Sequence, residues 1–245
     1  MTEGAPMAAE EPDSLVGFLE QEGVPRGARL LDVPCGVGRR AIALAHAGFH
    51  VVAVDPNEVG IGAARQRIPR EAQVLLTFAA APRETLPGLP AQEQFDAILC
   101  LDHALTRGSV DEDVAFLSRI ARHMKAEGRL ILDFLNRDFF ASRPRPFAFH
   151  VLGRVEQHEF RRFDPVSGTL HFEWKFYERT GDDLRYRTSS SAALRLIPPD
   201  AVTDLLCRAG FRVLSVYGGW DRTPMREDRR KFQIVAALGD RKPAA

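Results

Sequence analysis

Between residues 28 and 134 the chain alternates short apolar runs with segments whose apolar residues recur at helical spacing, and few folds accept that alternation. Residues 28–33 are an apolar run that turns through Gly36 and Gly38 into a segment in which Ala41, Ile42, Leu44 and Ala45 share one helical face until Gly48 stops it. Residues 49–54, 60–68 and 74–78 repeat the order strand, helix, strand. A fourth strand is read at residues 95–101. Asp111 then starts a helix through Phe116, Leu117, Ile120 and Met124 that ends at Gly128, and residues 129–134 form a fifth strand. Leu130, Ile131 and Leu132 run without polar alternation, as in a parallel strand covered on both faces. The expected class is α/β, with a doubly wound sheet.

The flanking segments fit around that frame. Residues 1–12 hold little to bury and are expected to be a mobile tail, leaving one domain over residues 13–245. Asp13 or Ser14 is read as the cap of a first helix ending at Gly23. From about residue 143 to 195 the pattern changes to three extended runs, 154–163, 169–177 and 184–194, a small antiparallel β insert divided by turn sequences. Phe172, Trp174 and Phe176 alternate with Glu173 and Lys175, which gives the insert an apolar face to lay on the main domain or on a second copy. Pro198-Pro199-Asp200 opens a last helix, and residues 211–217 and 231–238 are the final two strands.

Composition narrows function by exclusion. The 33 basic and 33 acidic side chains balance, so no long-range field favours nucleic acid or a membrane surface. Cys35, Cys100 and Cys207 show no C-x-x-C spacing and no accompanying His cluster, which predicts no metal site and no disulfide framework and suits a cytoplasmic protein.

Chemistry concentrates in the first strand-to-helix turn, Asp32-Val33-Pro34-Cys35-Gly36-Val37-Gly38-Arg39-Arg40-Ala41. Gly36-x-Gly38-x-x-Ala41 alone matches a dinucleotide fingerprint, with Asp55 about 20 residues on, so an NAD(P)-dependent oxidoreductase is one reading. The acid ahead of the glycines argues otherwise. In that respect the chain resembles the class I S-adenosylmethionine-dependent methyltransferases, whose first motif D/E-x-G-x-G-x-G is occupied here by Asp32, Pro34, Gly36 and Gly38, with Pro34 replacing the first glycine. Similar runs recur at Phe95-Asp96-Ala97, across residues 128–136, at Phe163-Asp164-Pro165 and at Ala209-Gly210-Phe211, as in one bacterial subgroup acting on small molecules.

The resemblance implies a seven-stranded Rossmann-like sheet of order 3-2-1-4-5-7-6, with the insert between strands 5 and 6, and transfer of a methyl group from S-adenosylmethionine to a small-molecule acceptor at O, N or S. It places Asp32, Pro34, Cys35, Gly36, Gly38, Asp55, Pro56, Asn57, Ala80, Ala81 and Leu101 around the cofactor. Asp32 would face the ammonium, Asp55 the ribose hydroxyls, and Pro56 and Asn57 would lie beneath the adenine. The acid usual after the third strand is replaced by alanines 79–81, and the segment after the fourth strand, Asp102-His103-Ala104-Leu105, departs from the subgroup. A non-catalytic subunit that binds S-adenosylmethionine is therefore a further reading.

Asp102 and His103 fall where open α/β sheets bind ligands, and His103 is the candidate general base with Asp102 orienting it. His150, near Arg143 and Arg145, is a lesser candidate. Arg187 and Arg195 could bond a substrate carboxylate from the insert but are read first as exposed strand arginines, Trp220 and Asp221 stand between the same two readings, and Asp111-Glu112-Asp113 at a helix start and residues 226–231 as a solvated loop are given structural roles. The expected partners are the small-molecule acceptor and, through the β insert, a second copy.

Overall fold

A computed structural model describes residues 11–82, 86, 93–102, 104–106, 108–143 and 146–239 of the chain. In order, its elements are α1 (Glu11–Gln21), β1 (Arg29–Asp32), α2 (Arg39–His46), β2 (His50–Asp55), α3 (Glu58–Arg65), β3 (Leu76–Ala80), β4 (Phe95–Cys100), α4 (Val110–Ala121) and β5 (Met124–Leu135). They continue with α5 (Arg137–Ser142), β6 (Phe147–Leu152), β7 (Val155–Asp164), β8 (Thr169–Thr180), β9 (Asp183–Arg195), α6 (Pro199–Arg208), β10 (Phe211–Tyr217) and β11 (Lys231–Leu238).

The main sheet has seven strands in the order β3-β2-β1-β4-β5-β11-β10, the expected arrangement once β10 and β11 are counted as its sixth and seventh strands. β1 pairs in parallel with β2 (Leu31 opposite Val52) and with β4 (Leu31 opposite Ile98), whereas β11 runs antiparallel to β5 and to β10. Successive strand residues point to opposite faces, and the buried residues divide accordingly. Leu30, Leu99, Ile131 and Val235 pack with Leu15, Phe18, Leu44 and Ile61 from α1, α2 and α3. Their neighbours Leu31, Ile98, Leu132 and Ile234 pack with Phe116, Ile120, Val202 and Leu206 from α4 and α6. Two apolar layers thus clamp the sheet, and the order in which successive strands are added reverses between the parallel neighbours β1 and β4, which opens a crevice at their carboxyl ends.

The insert is a separate four-stranded antiparallel sheet, β6-β7-β8-β9. It is larger than expected: β6 lies ahead of the three extended runs, and α5 precedes it. Phe147-Ala148-Phe149-His150-Val151 alternates in sequence, but at 46%, 55% and 50% exposure Phe147, Phe149 and Val151 bury little, so the burial that would mark a strand face is weak. α5 has only six residues, too few for a helical period to show in sequence. The insert lies on the main domain through Leu170, Phe172 and Leu194, which cluster with Leu135, Phe140 and Leu196, while Trp174 stacks on Phe172 at 5.2 Å. α1 begins at Glu11 rather than at residue 13 or 14, so the expected tail 1–12 is shortened by two residues, and residues 1–10 lie outside the described residues.

Candidate active site

The turn after β1 is shaped by its glycines. Gly38 caps α2 in the left-handed conformation at φ 73°, and a Cβ there would stand 2.5 Å from the Phe78 ring, so only glycine fits. Gly36 is also left-handed, at φ 58°, but a Cβ there would meet nothing within 4 Å, because Gly36 faces open space. That space is a cavity of about 260 Å³ whose walls include Pro34, Cys35, Gly36, Arg40, Asp55, Leu101 and Asp102.

Asp55, at the end of β2, ties the turn together. Its Oδ2 accepts the Gly36 N–H and its Oδ1 the Asn57 N–H, each at 2.8 Å. Each oxygen keeps a second lone pair, so a pair of vicinal hydroxyls presented from the cavity could donate to it. Asn57 is the N-cap of α3, its Oδ1 accepting the Gly60 N–H at 3.1 Å, and it and Pro56 are exposed. The Asn57 oxygen is therefore committed to the helix rather than to a base. Ala80 is exposed at the end of β3, and buried Ala81 donates its N–H to the Asp55 carbonyl at 3.0 Å. Leu101 is fully buried in the cavity wall. Burial pushes the Cys35 thiol up, with Asp32 and Asp55 adding to the effect, so Cys35 packs as a neutral thiol.

Asp32 is the least ordinary group here. It is 0% exposed, and neither carboxylate oxygen has a hydrogen-bond partner. Burial pushes its carboxyl up to about 7; Arg40 opposes the shift, and Asp102 and Asp55 reinforce it. A buried orphan acceptor costs free energy unless a donor arrives, and the donor that suits an acid is a cation.

At the opposite wall of the crevice, Asp102 has left-handed backbone at φ 51°. Its N–H donates to Asp133 Oδ1 at 2.6 Å, its Oδ2 accepts from Arg40 Nη2, and Lys231 Nζ lies 3.5 Å from its Oδ1 and 2.9 Å from Asp133 Oδ2. Two cations and two acids from α2, β5, β11 and the loop after β4 thus form one network. Asp102 holds its carboxylate within that network, and His103 lies outside the described residues.

The remaining candidates fall elsewhere. His150 is on β6 opposite Gln157, away from the cavity walls. Arg143 rests over the Phe139 ring at 5.6 Å, and Arg145 lies outside the described residues. Arg187 pairs with Glu178 and Arg195 with Asp113, Trp220 packs edge-on against Phe18 at 5.1 Å, and Asp221 accepts the Thr223 hydroxyl. Ser109 and Glu112 form a capping box, while buried Asp113 accepts the Thr106 N–H at 2.9 Å. Lys231 corrects the reading of residues 226–231 as a solvated loop, since it reaches into the crevice. Arg40, Asp133 and Lys231 carried no sequence signal beyond the apolar context of their strands and helix. Among the described residues, no cluster of three His, Cys, Asp or Glu side chains is placed to hold a metal ion.

Gly36's open approach, the orphan Asp32 carboxylate and the hydroxyl-accepting Asp55 fit the ammonium, backbone contact and ribose of S-adenosylmethionine, and the sheet order is that of the class I methyltransferase fold. The comparisons agree. Residues 30–128 match a family model described as a methyltransferase domain. Glycine/sarcosine N-methyltransferase of Aphanothece halophytica is 27% identical over 95% of this chain and 83% of its own length. Magnesium-protoporphyrin O-methyltransferase of Synechocystis is 34% identical, but this chain spans only half the length of that relative. Among solved structures, the CcbJ methyltransferase of Streptomyces caelestis superposes with a TM-score of 0.78 over 97% of this chain and all of its own, at 17% identity. The S-adenosylmethionine-bound amino pentose methyltransferase CalS10 of Micromonospora echinaspora gives 0.67 over 94% of this chain and 89% of its own, at 20% identity. The methyltransferase match thus falls on residues 30–128, and the chain as a whole shares the fold of these S-adenosylmethionine-dependent methyltransferases.

Proposed function

We propose that the protein methylates a small-molecule acceptor seated across the crevice beside Leu101 and Asp102. The observation that carries this reading is the buried Asp32 carboxylate beneath the glycine turn, neither of whose oxygens accepts a hydrogen bond. Asp32 and Asp55 would hold the ammonium and ribose ends of S-adenosylmethionine, and bound there it supplies an electrophilic methyl group on a sulfonium. The protein's own task is to orient the acceptor at near-attack distance and remove its proton. His103, adjacent to Asp102, is the proposed base.

An amine nitrogen is the favoured acceptor atom, because the N-methyltransferase relative aligns over 95% of the chain, insert included, whereas the O-methyltransferase matches cover about half. The NAD(P) reading is set aside, since the matched family and the fold relatives are methyltransferases. Release of S-adenosylhomocysteine across a panel of amines, phenols and thiols tests the proposal. Turnover on the amines supports it, turnover confined to phenols or thiols overturns the choice of atom, and cofactor binding without turnover on any acceptor favours a non-catalytic subunit.

A second copy is proposed to dock on the outward face of the insert. That face exposes Phe147, Phe149 and Val151 beside the Lys175–Glu173 ion pair, so apolar groups and both signs of charge recur in one patch, as a self-complementary two-fold contact requires. Cytoplasmic residence is proposed from Cys35, Cys100 and Cys207, all free thiols. Among the described residues no helix is long and apolar enough to cross a membrane.

A further inference from the structure

A second cavity, of about 380 Å³, lies under the insert, and it shares no lining residue with the cavity at the glycine turn. Its walls are apolar: Phe140 and Ala141 from α5, Pro146, and Phe163, Pro165 and Leu170 from the inward side of the insert. The volume lies within the range that small-molecule sites occupy.

One charged side chain is built into this wall. Arg161 is only 10% exposed, and it gives its Nε–H to Glu159, which is 11% exposed. The second Glu159 oxygen accepts the Trp174 indole N–H at 2.8 Å, so both oxygens of the acid are engaged and its position is fixed. Asp164, the next acid along the strand, is turned to Ser167 Oγ at 2.7 Å and the Val166 N–H at 3.0 Å. Arg161 therefore has one edge held by Glu159, while among the described residues its two Nη groups have no acceptor. Exposed Arg162 adds a second cation at the rim. A guanidinium with a fixed orientation, four N–H donors to spare and apolar walls around it matches one ligand chemistry, a planar carboxylate on an apolar body.

We propose that this cavity binds an apolar monocarboxylate, with the two Nη groups of Arg161 gripping the carboxylate and Phe140, Phe163 and Leu170 enclosing the body. The site is independent of the methyl-transfer reading: it requires no cofactor, and neither Asp32 nor Asp55 takes part.

Calorimetry on the full chain with 2-naphthoate and with its neutral amide tests the assignment. Naphthoate should bind saturably, and the amide at least about tenfold more weakly, since a charge-assisted fork is replaced by neutral contacts. Removing Arg161 alone would strand the buried Glu159, so the test variant is the double substitution Glu159→Gln, Arg161→Met, with S-adenosylhomocysteine affinity measured alongside to show that the main domain is intact. That variant should lose naphthoate binding by at least about tenfold and keep cofactor-product affinity. Ala141→Trp, which fills the cavity while leaving Glu159 and Arg161 in place, should also abolish binding. Equal affinity for acid and amide, naphthoate binding unchanged in the double variant or in Ala141→Trp, or no naphthoate binding up to millimolar concentration would overturn the proposal.

Discussion

The Asp133 carboxylate accepts the backbone N–H of Asp102 at 2.6 Å, across 31 residues of sequence, and holds that residue in left-handed backbone at the mouth of the crevice. With Lys231 2.9 Å from its other oxygen, Asp133 fixes the loop after β4 to the middle of the sheet.

Asp133→Ala should therefore destabilise the protein by about 3 kcal/mol, because the half-buried Lys231 cation and a backbone donor lose their shared, buried acceptor. Lys231→Met in the same background should recover part of that loss, giving a coupling of about 1–2 kcal/mol in a double-mutant cycle read by denaturant unfolding. Additive effects would show that the two side chains do not act as a unit.

The two glycines of the turn should respond differently to alanine. Gly38→Ala places a Cβ 2.5 Å from Phe78 in left-handed backbone, so thermal stability should fall by several degrees. Gly36→Ala meets no protein atom and should cost only about 1–2 kcal/mol of backbone strain, yet its methyl group enters the cavity and should weaken S-adenosylhomocysteine binding more than tenfold. Calorimetry and thermal unfolding on both variants separate the two effects.

Asp32 sets a pH dependence whose sign follows from its direction of shift. Its folded pKa of about 7 lies above the ordinary 3.8, so the folded state holds the proton more tightly than the unfolded chain. Stability of the cofactor-free protein should fall as pH rises from about 4 to 7, flatten above that, and lose this component in Asp32→Asn. A cation prefers the ionised acid, so S-adenosylhomocysteine affinity should rise over pH 6–8 in the natural protein and be low and nearly flat in Asp32→Asn. Affinity that rises equally in both would assign the titration to another group.

On the outward face of the insert, Phe149→Glu should shift the protein toward monomer in light scattering, with cofactor affinity unchanged. A natural protein that is monomeric at tens of micromolar would remove the proposed two-fold contact.

What was legible in sequence was what is local. Leu30, Leu31 and Leu130 to Leu132 announce buried parallel strands by their unbroken apolar runs, and the turn at Gly36 and Gly38 announces itself by spacing. β6 escaped because its alternating phenylalanines are half exposed, so the pattern lacks the burial that usually interprets it. The Arg40–Asp102–Lys231–Asp133 network escaped for a different reason: Lys231 lies 129 residues beyond Asp102, and only the antiparallel pairing of β11 with β5, which sets Lys231 opposite Leu135, brings the two together. Asp32 stood out by its place before the glycines, but its orphan carboxylate and its shift appear only once β2 and β4 close on either side of it.

Titration of the full chain with S-adenosylhomocysteine at pH 8, compared with Asp55→Ala, tests the cofactor site most directly. Asp55 anchors both the Gly36 and Asn57 N–H groups and presents the hydroxyl-accepting lone pairs. Saturable one-to-one binding, weakened at least about tenfold by Asp55→Ala in a variant that still unfolds cooperatively, is the expected result. No saturable binding, or binding unaffected by the substitution, would contradict the placement of S-adenosylmethionine at this turn.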